Sequence, residues 1–278
     1  MNKNLFTIII PVKKINKYVD ETVKHIKAQD YKNWELIIVE NFPSIKTKNY
    51  KSKKIKIIYS GKVGPGKKRD IACKMAKGNI VVFLDDDSYP KKNYLSIANK
   101  IFELNKSICG IGGPGITPKN STIFQKISGS VFLSKFSGGF PERYINIGKI
   151  KKIDDWPSVN LIIKKNYFFK AGGFNSKFWP GEDTELCLKL TKKMKLKLLY
   201  VPNLIVYHHR RKNIFSHIKQ VSAYGLHRGY FFKSKPETSR KVIYTYITFK
   251  KIYFFCIYKI NYFIFINIHT EYFIIKIF

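Results

Sequence analysis

Residues 80–84, Ile-Val-Val-Phe-Leu, are apolar without interruption and run directly into three carboxylates, Asp85, Asp86 and Asp87. A strand with no polar face is buried on both sides, as in a parallel sheet covered above and below by helices. Open α/β sheets bind ligands beyond the carboxyl ends of such strands, which is where these acids fall. Three adjacent carboxylates repel one another unless they share a cation. Mg2+ or Mn2+ takes oxygen ligands of this kind and usually brings substrate phosphates with it. A solvated acidic turn is the plainer reading of an isolated Asp-Asp-Asp. The buried strand before it, and the acids and histidines downstream, favour a ligand site.

Strand and helix signals alternate through the first hundred residues. Apolar runs at 5–10, 36–39 and 55–59 read as strands, and Val19, Val23 and Ile26 mark one face of a helix over 16–29. Gly64, Pro65 and Gly66 open a second helix that carries Ile71, Ala72, Met75 and Ala76 and ends at Gly78. Strands separated by helices imply right-handed crossovers and an α/β class, a mostly parallel sheet flanked by helices. Residues 112–157 are rich in Gly, Ser and Pro and read as a long functional loop region. Beyond it the pattern predicts a strand at 160–164, a turn at Gly172-Gly173-Phe174 and a helix over 184–194. Strands at 198–201 and 204–207 and a helix at about 214–231 follow. The chain thus divides into one domain over 1–232 and a C-terminal, aromatic-rich helical segment over 233–278.

Lys and Arg outnumber Asp and Glu 52 to 18, a formal net charge of +34, which attracts polyanions of any kind. The lysines are spread among Ile, Asn, Tyr and Phe along the whole length, as an AT-rich coding bias would leave them. No RNP-like segment, zinc-finger spacing or isolated basic tail is present. A membrane surface or nucleotide phosphates therefore fit the charge better than nucleic acid does. Cys73, Cys109, Cys187 and Cys256 include no CxxC pair, which argues against a zinc site or a disulfide framework and fits a reducing cytosol. The apolar run before Pro11 is too short for a signal-peptide core. Residues 252–268 are apolar around Lys259 and fall just short of a bilayer span. With Lys250, Lys251 and Lys276 around it, this segment is expected to lie in a membrane interface. The expected location is cytoplasmic, peripheral at the inner face of the cell membrane.

Other chemistry-bearing residues also sit at element ends. Pro11 and Val12 close the first strand where a nucleotide base and ribose could lie. Glu40 closes the second strand, placed to accept hydrogen bonds from a base or a ribose hydroxyl. Lys67, Lys68 and Arg69 stand at a helix start, where backbone amides favour anions. Their spacing from the glycines fits neither a Walker A loop nor a G-x-G-x-x-G fingerprint. Glu182 and Asp183 follow Pro180 and Gly181 immediately before a helix. Asp183 reads either as an N-cap or, near Trp179, as a base under a sugar ring held on an aromatic face, with Asp154, Asp155 and Glu182 as alternatives. His208 and His209 precede Arg210 and Arg211. An imidazole can add a metal ligand and an arginine can neutralise a leaving phosphate.

Together these segments resemble the glycosyltransferase family 2 pattern on the GT-A fold. Residues 5–12 look like its opening strand ending in Pro-Val, and 36–41 like its second strand with a terminal acid. Residues 64–84 resemble the helix bearing the nucleotide-binding Lys/Arg and the strand after it, and Asp85-Asp86-Asp87 resembles the DXD motif. Residues 171–174 with 181–183 resemble the GGF…ED segment, and 206–211 the late histidine motif. The resemblance covers residues 5–230 and implies a Rossmann-like GT-A domain. It implies an inverting transfer from a nucleotide diphosphate sugar to a polysaccharide or lipid-linked acceptor, in cell-surface polysaccharide or glycolipid synthesis. Asp87 with His208, or alternatively His209, would hold Mg2+ or Mn2+, and Asp183 would be the base. Pro11, Val12, Glu40, Lys68, Arg69, Asp85 and Asp86 would bind the nucleotide sugar. Trp179, Glu182 and residues 128–155 would lie on the acceptor side. The chain departs from the pattern at Glu40-Asn41, where paired aspartates are usual, and at Lys13, where Tyr-Asn usually follows Pro-Val. A metal-dependent nucleotidyltransferase shares acids at a sheet edge but lacks the ED segment and late histidines. A basic membrane- or nucleic-acid-binding protein without enzymatic activity leaves the acids and histidines at strand ends unexplained.

Overall fold

A computed structural model of the chain describes residues 4–45, 50, 52–134, 140–175 and 180–234. Strands β1 (Phe6–Pro11) and β4 (Ile80–Leu84) are buried at every position, as their unbroken apolar runs require. They pair in parallel, Phe6 opposite Ile80. On its other side β1 pairs in parallel with β2 (Trp34–Glu40), and β2 with β3 (Ile55–Tyr59). Helices α1 (Lys17–Lys27) and α2 (Pro65–Met75) lie in the crossovers. Successive side chains of β1 feed opposite layers. Ile8 and Ile10 join Val19, Val23 and Ile26 of α1 and Leu95 of α3 (Tyr94–Leu104). Ile9 joins Ala72 of α2, Phe168 of α5 (Lys165–Lys170) and Leu186 of α6 (Glu182–Leu188).

Past β4 the sheet continues with β9 (Asn160–Lys164), which runs antiparallel to both neighbours, β4 and β6 (Ile108–Gly112). Strand β10 (Lys197–Tyr200) is parallel to β6, and β8 (Lys151–Ile153) is antiparallel to β10. The order is β3-β2-β1-β4-β9-β6-β10-β8, parallel on one half with a reversed strand near its centre. A second sheet is small but decides the site. In it β11 (Val206–His208) lies between β5 (Ser88–Pro90) and β7 (Gly115–Ile116), with His208 opposite Ser88. His208 is thereby laid against the residue that follows the three acids.

The 112–157 region is more regular than its composition predicts. Besides β7 and β8 it holds α4 (Ile123–Val131) and a 3-10 turn, Pro141–Arg143. A capping box starts α4: the Gln125 N–H donates to Thr122 Oγ1, and the Thr122 N–H donates to Gln125 Oε1. Helix α6 begins at Glu182, with Gly181 as its N-cap at φ 127°, and continues as a π-turn over Lys189–Lys193. Asp183 is therefore inside the first turn, and the N-cap reading of it is corrected. Helix α2 stops at Met75, short of Gly78. Helix α7 (Ile214–Ser234) closes the described chain, and residues 235–278, with the predicted interfacial segment and Cys256, lie outside the described residues. No helix among the described residues is long and apolar enough to cross a membrane.

Candidate active site

Residues 85–88 turn sharply at the end of β4. The Asp85 N–H donates to Ser88 Oγ at 3.1 Å, and that hydroxyl donates back to the Asp85 carbonyl at 3.0 Å. The turn points Asp85 and Asp87 toward β11. His208 Nε2 lies 3.1 Å from Asp87 Oδ1, and Arg211 Nη1 lies 3.4 Å from Oδ2. Burial by itself raises the Asp87 carboxyl, but the charge and hydrogen bond of His208, with Arg211 beside them, hold it below the usual carboxylate range. Asp86 faces the other way and accepts from Asn16 Nδ2 at 3.3 Å. Burial, then the charges of Asp87 and Asp85, push its carboxyl up to about 6.

One ligand atom from each of Asp85, Asp87 and His208 lies within 4.8 Å of the others. Two carboxylates and an imidazole form a donor set that fits Mn2+ or Mg2+. His209 is not part of it. A strand sends neighbouring side chains to opposite faces. His209, one residue past β11, turns away likewise: it meets Glu21 Oε2 at 2.7 Å and packs against the tilted Tyr18 ring, leaving only its backbone N–H on the Asp87 carbonyl at 2.9 Å. Arg210 is buried and orients His208, with Nη1 3.0 Å from Nδ1.

Two cations of α2, Lys68 and Arg69, are turned inward, while Lys67 is exposed. Arg69 is 2% exposed, 2.6 Å from Asp85 Oδ1 and 3.4 Å from Glu182 Oε1, so it bridges the β4 acids to the first turn of α6. Lys68 is equally buried, and its ammonium donates to the Val12 carbonyl and to Asn41 Oδ1. Burial outweighs its acidic neighbours and lowers its pKa. Glu40 corrects a sequence expectation. It is fully buried, and Oε1 accepts the Ile15 N–H at 2.8 Å, so it braces the loop after β1 from inside. Pro11 and Val12 are buried at the same edge.

Asp183 is held by two backbone donors. The Ser158 N–H reaches Oδ2 at 3.1 Å and the Thr184 N–H reaches Oδ1 at 2.8 Å. Burial, then the charge of Asp155, raise its carboxyl. Glu182 is more deeply buried, and burial with the adjacent Asp183 pushes it up to about 7 despite Arg69. Trp179 lies outside the described residues. Sequence reasoning missed Asp70, whose Oδ1 accepts the Phe174 N–H at 2.9 Å and so pins the Gly-Gly-Phe turn to α2. Gly173 there has φ +69°, and a Cβ would stand 2.6 Å from the same oxygen. Asn16 was also missed, although an Asn just before an amphipathic helix is an N-cap signal, and it caps α1 through Tyr18 and Val19.

The glycosyl transferase family 2 profile matches residues 7–167. The chain belongs to glycosyl transferase family 2. Among its curated relatives is a dolichyl N-acetyl-alpha-D-glucosaminyl phosphate 3-beta-D-2,3-diacetamido-2,3-dideoxy-beta-D-glucuronosyltransferase of Methanococcus voltae. It is 24% identical over 241 residues, 81% of this chain and 73% of the relative. Another is the poly(ribitol-phosphate) beta-N-acetylglucosaminyltransferase TarS of Staphylococcus aureus, 28% identical over 40% of this chain and 22% of the relative. Among solved structures, the mannosyltransferase PcManGT of Pyrobaculum calidifontis, in complex with GDP-Man and Mn2+, superposes with TM-score 0.60 at 15% identity. That match covers 83% of this family 2 chain and 65% of the other. S. aureus TarS 1–349 in complex with UDP-GlcNAc superposes with TM-score 0.56 at 17% identity, over 78% and 65%. The family 2 chain thus has the GT-A fold.

Proposed function

We propose that this glycosyltransferase moves a sugar, with inversion, from a nucleotide diphosphate sugar to a hydroxyl of a polysaccharide or lipid-linked acceptor, in cell-surface polysaccharide or glycolipid synthesis. The observation that carries the reading is the Asp85–Asp87–His208 cluster together with Arg69, which bridges Asp85 to Glu182, the residue beside Asp183. Asp85, Asp87 and His208 would hold a divalent ion, which would supply positive charge to the two phosphates of the departing nucleotide. Arg211, 42% exposed beside Asp87, adds charge on the same side. Pro11, Val12 and Asp86 line the edge where the base and ribose bind, while Lys68 and Arg69 hold that edge together from beneath. Asp183 takes the proton of the acceptor hydroxyl as it attacks the anomeric carbon. Burial and the charge of Asp155 raise its carboxyl, which makes the ionised form a stronger base. Glu182, Trp179 and residues 128–155 form the acceptor side, and the chain works at the inner face of the cell membrane. UDP-GlcNAc, bound in the TarS complex, and a lipid-linked acceptor, after the dolichyl phosphate in the name of the Methanococcus voltae relative, are the first candidates. Hydrolysis of a nucleotide-sugar panel with Mn2+, with Mg2+ and with chelator tests the reading. A preferred donor turned over only with metal is expected, and metal-independent turnover of the preferred donor refutes the metal role.

A further inference from the structure

Asp155 closes the acceptor-side segment and carries no proton or metal role above, yet three separate parts of the chain converge on its carboxylate. Arg143, in the Pro141–Arg143 turn, reaches Oδ2 at 2.9 Å, and the same Nη2 donates to the Asp155 carbonyl at 3.3 Å. Arg228 of α7 approaches Oδ2 at 3.9 Å. Thr184, in the first turn of α6, donates its hydroxyl to Oδ1 at 2.9 Å. The Asp155 side chain is only 9% exposed. A carboxylate this enclosed stays ionised only where charge balances it. Burial raises it, and Arg143 and Arg228 outweigh burial, keeping it below the usual range.

Thr184 is the joint. Its hydroxyl is fixed by Asp155, and its N–H donates to Asp183 Oδ1. Ser158, on the same loop as Asp155, donates its N–H to Asp183 Oδ2. Two contacts therefore zip the 155–158 loop to the first turn of α6, and both oxygens of Asp183 are held within that zip. Arg143 belongs to the segment before β8 and Arg228 to the last described helix, so both elements bear on the loop that sets the base.

We propose that Asp155 is a positioning residue that couples the seating of the Pro141–Arg143 turn and of α7 to the placement of Asp183. The inference rests on Asp183 being the base. The charged and titratable groups facing Asp183 are Asp155 from the preceding loop, Glu182 and the Cys187 thiol from α6, and Arg69 from α2. Those facing Asp155 are Arg143, Arg228 and the Cys187 thiol.

A double-mutant cycle of Asp155→Asn and Asp183→Asn tests it. The readouts are turnover of UDP-GlcNAc and GDP-mannose with Mn2+ and a 13C NMR titration of the aspartate carboxyls of the full chain. Asp155→Asn is expected to lower kcat by about 10²-fold, the size of effect that follows small misplacement of a catalytic group. The donor KM should be little changed, and the Asp183 titration should move to lower pH once the neighbouring charge is gone. The variant should add no loss on top of Asp183→Asn. Arg228→Met should share part of the defect and Arg228→Lys should restore it, which keeps the proposal open to refutation should Asp155→Asn fail to fold. Equal losses from Asp155→Asn in both backgrounds, or an Asp183 titration that Asp155→Asn leaves in place, would overturn it. Full turnover by Asp183→Asn overturns the base assignment instead, and the proposal with it, by a result the cycle shows separately.

Discussion

Glu182→Gln should make the free protein more stable at alkaline pH than the wild type. Glu182 is 4% exposed, its Oε1 is 3.4 Å from Arg69, and its Oε2 accepts the Gly181 N–H at 3.1 Å. Burial, then the charge of Asp183, raise its carboxyl from 4.5 to about 7, with Arg69 opposing. Between these values the folded chain keeps a proton that the unfolded chain has released, so its contribution to stability falls as pH rises. At about 1.4 kcal/mol for each tenfold difference in acidity, the penalty levels off at roughly 3 kcal/mol above pH 7. Glutamine preserves the size and a carbonyl acceptor, and Arg69 retains Asp85 at 2.6 Å. Urea denaturation in chelator would measure both proteins at pH 5 and pH 8. At pH 5 they should agree within about 1 kcal/mol, and at pH 8 the variant should lead by roughly 3 kcal/mol with an unchanged m-value. Parallel pH profiles would mean that Glu182 is ionised in the fold at neutral pH, and the reasoning would fail.

The parts of the fold that could be read in advance are those where burial on both faces leaves one composition to choose. Strands β1, β4 and β9 are of this kind, and their carboxyl or amino ends could be assigned from where the apolar run stops. Strand direction leaves no such mark, so the reversal of β9 between β4 and β6 was not visible. Strands β5 and β7 span only two or three residues, too few for a period to show, while β11, predicted over 204–207, lies over Val206–His208; together the three bring His208 to Asp87. In α4, Ser128, Gly129 and Ser130 sit inside the helix, and the capping box rather than propensity marks its start. His208 and His209 are equivalent as letters; His208 ends β11 and meets Asp87, whereas His209, one residue past the strand, meets Glu21. Glu40, Lys68 and Arg69 read as ligand contacts because charges at element ends face solvent by default. Each is instead buried, and a buried charge must be spent on an internal partner.

The remaining predictions concern the metal, the base and the membrane. Asp87→Ala should abolish metal-dependent binding of a nucleoside diphosphate, because it removes a ligand and strands His208 and Arg211. Calorimetry with UDP and Mn2+ reads this, and equal affinity with and without chelator refutes the metal role. Asp183→Asn keeps the shape that accepts the Ser158 and Thr184 N–H groups. Donor binding should survive while transfer falls on the order of 10²–10⁴-fold, and a loss below about tenfold moves the base elsewhere. The last prediction follows from charge and apolar surface together. Phe215, Ile218 and Leu226 of α7 are exposed at 80%, 52% and 76%, and residues 242–278 are rich in Ile, Phe and Tyr around Lys250, Lys251 and Lys259. Lysine stems can lie along an apolar surface while their heads meet anionic headgroups. The full chain should therefore float with anionic liposomes and a chain ending at Lys241 should float less. If both stay down at low salt, the apolar surface is covered by protein and the placement at the membrane is wrong.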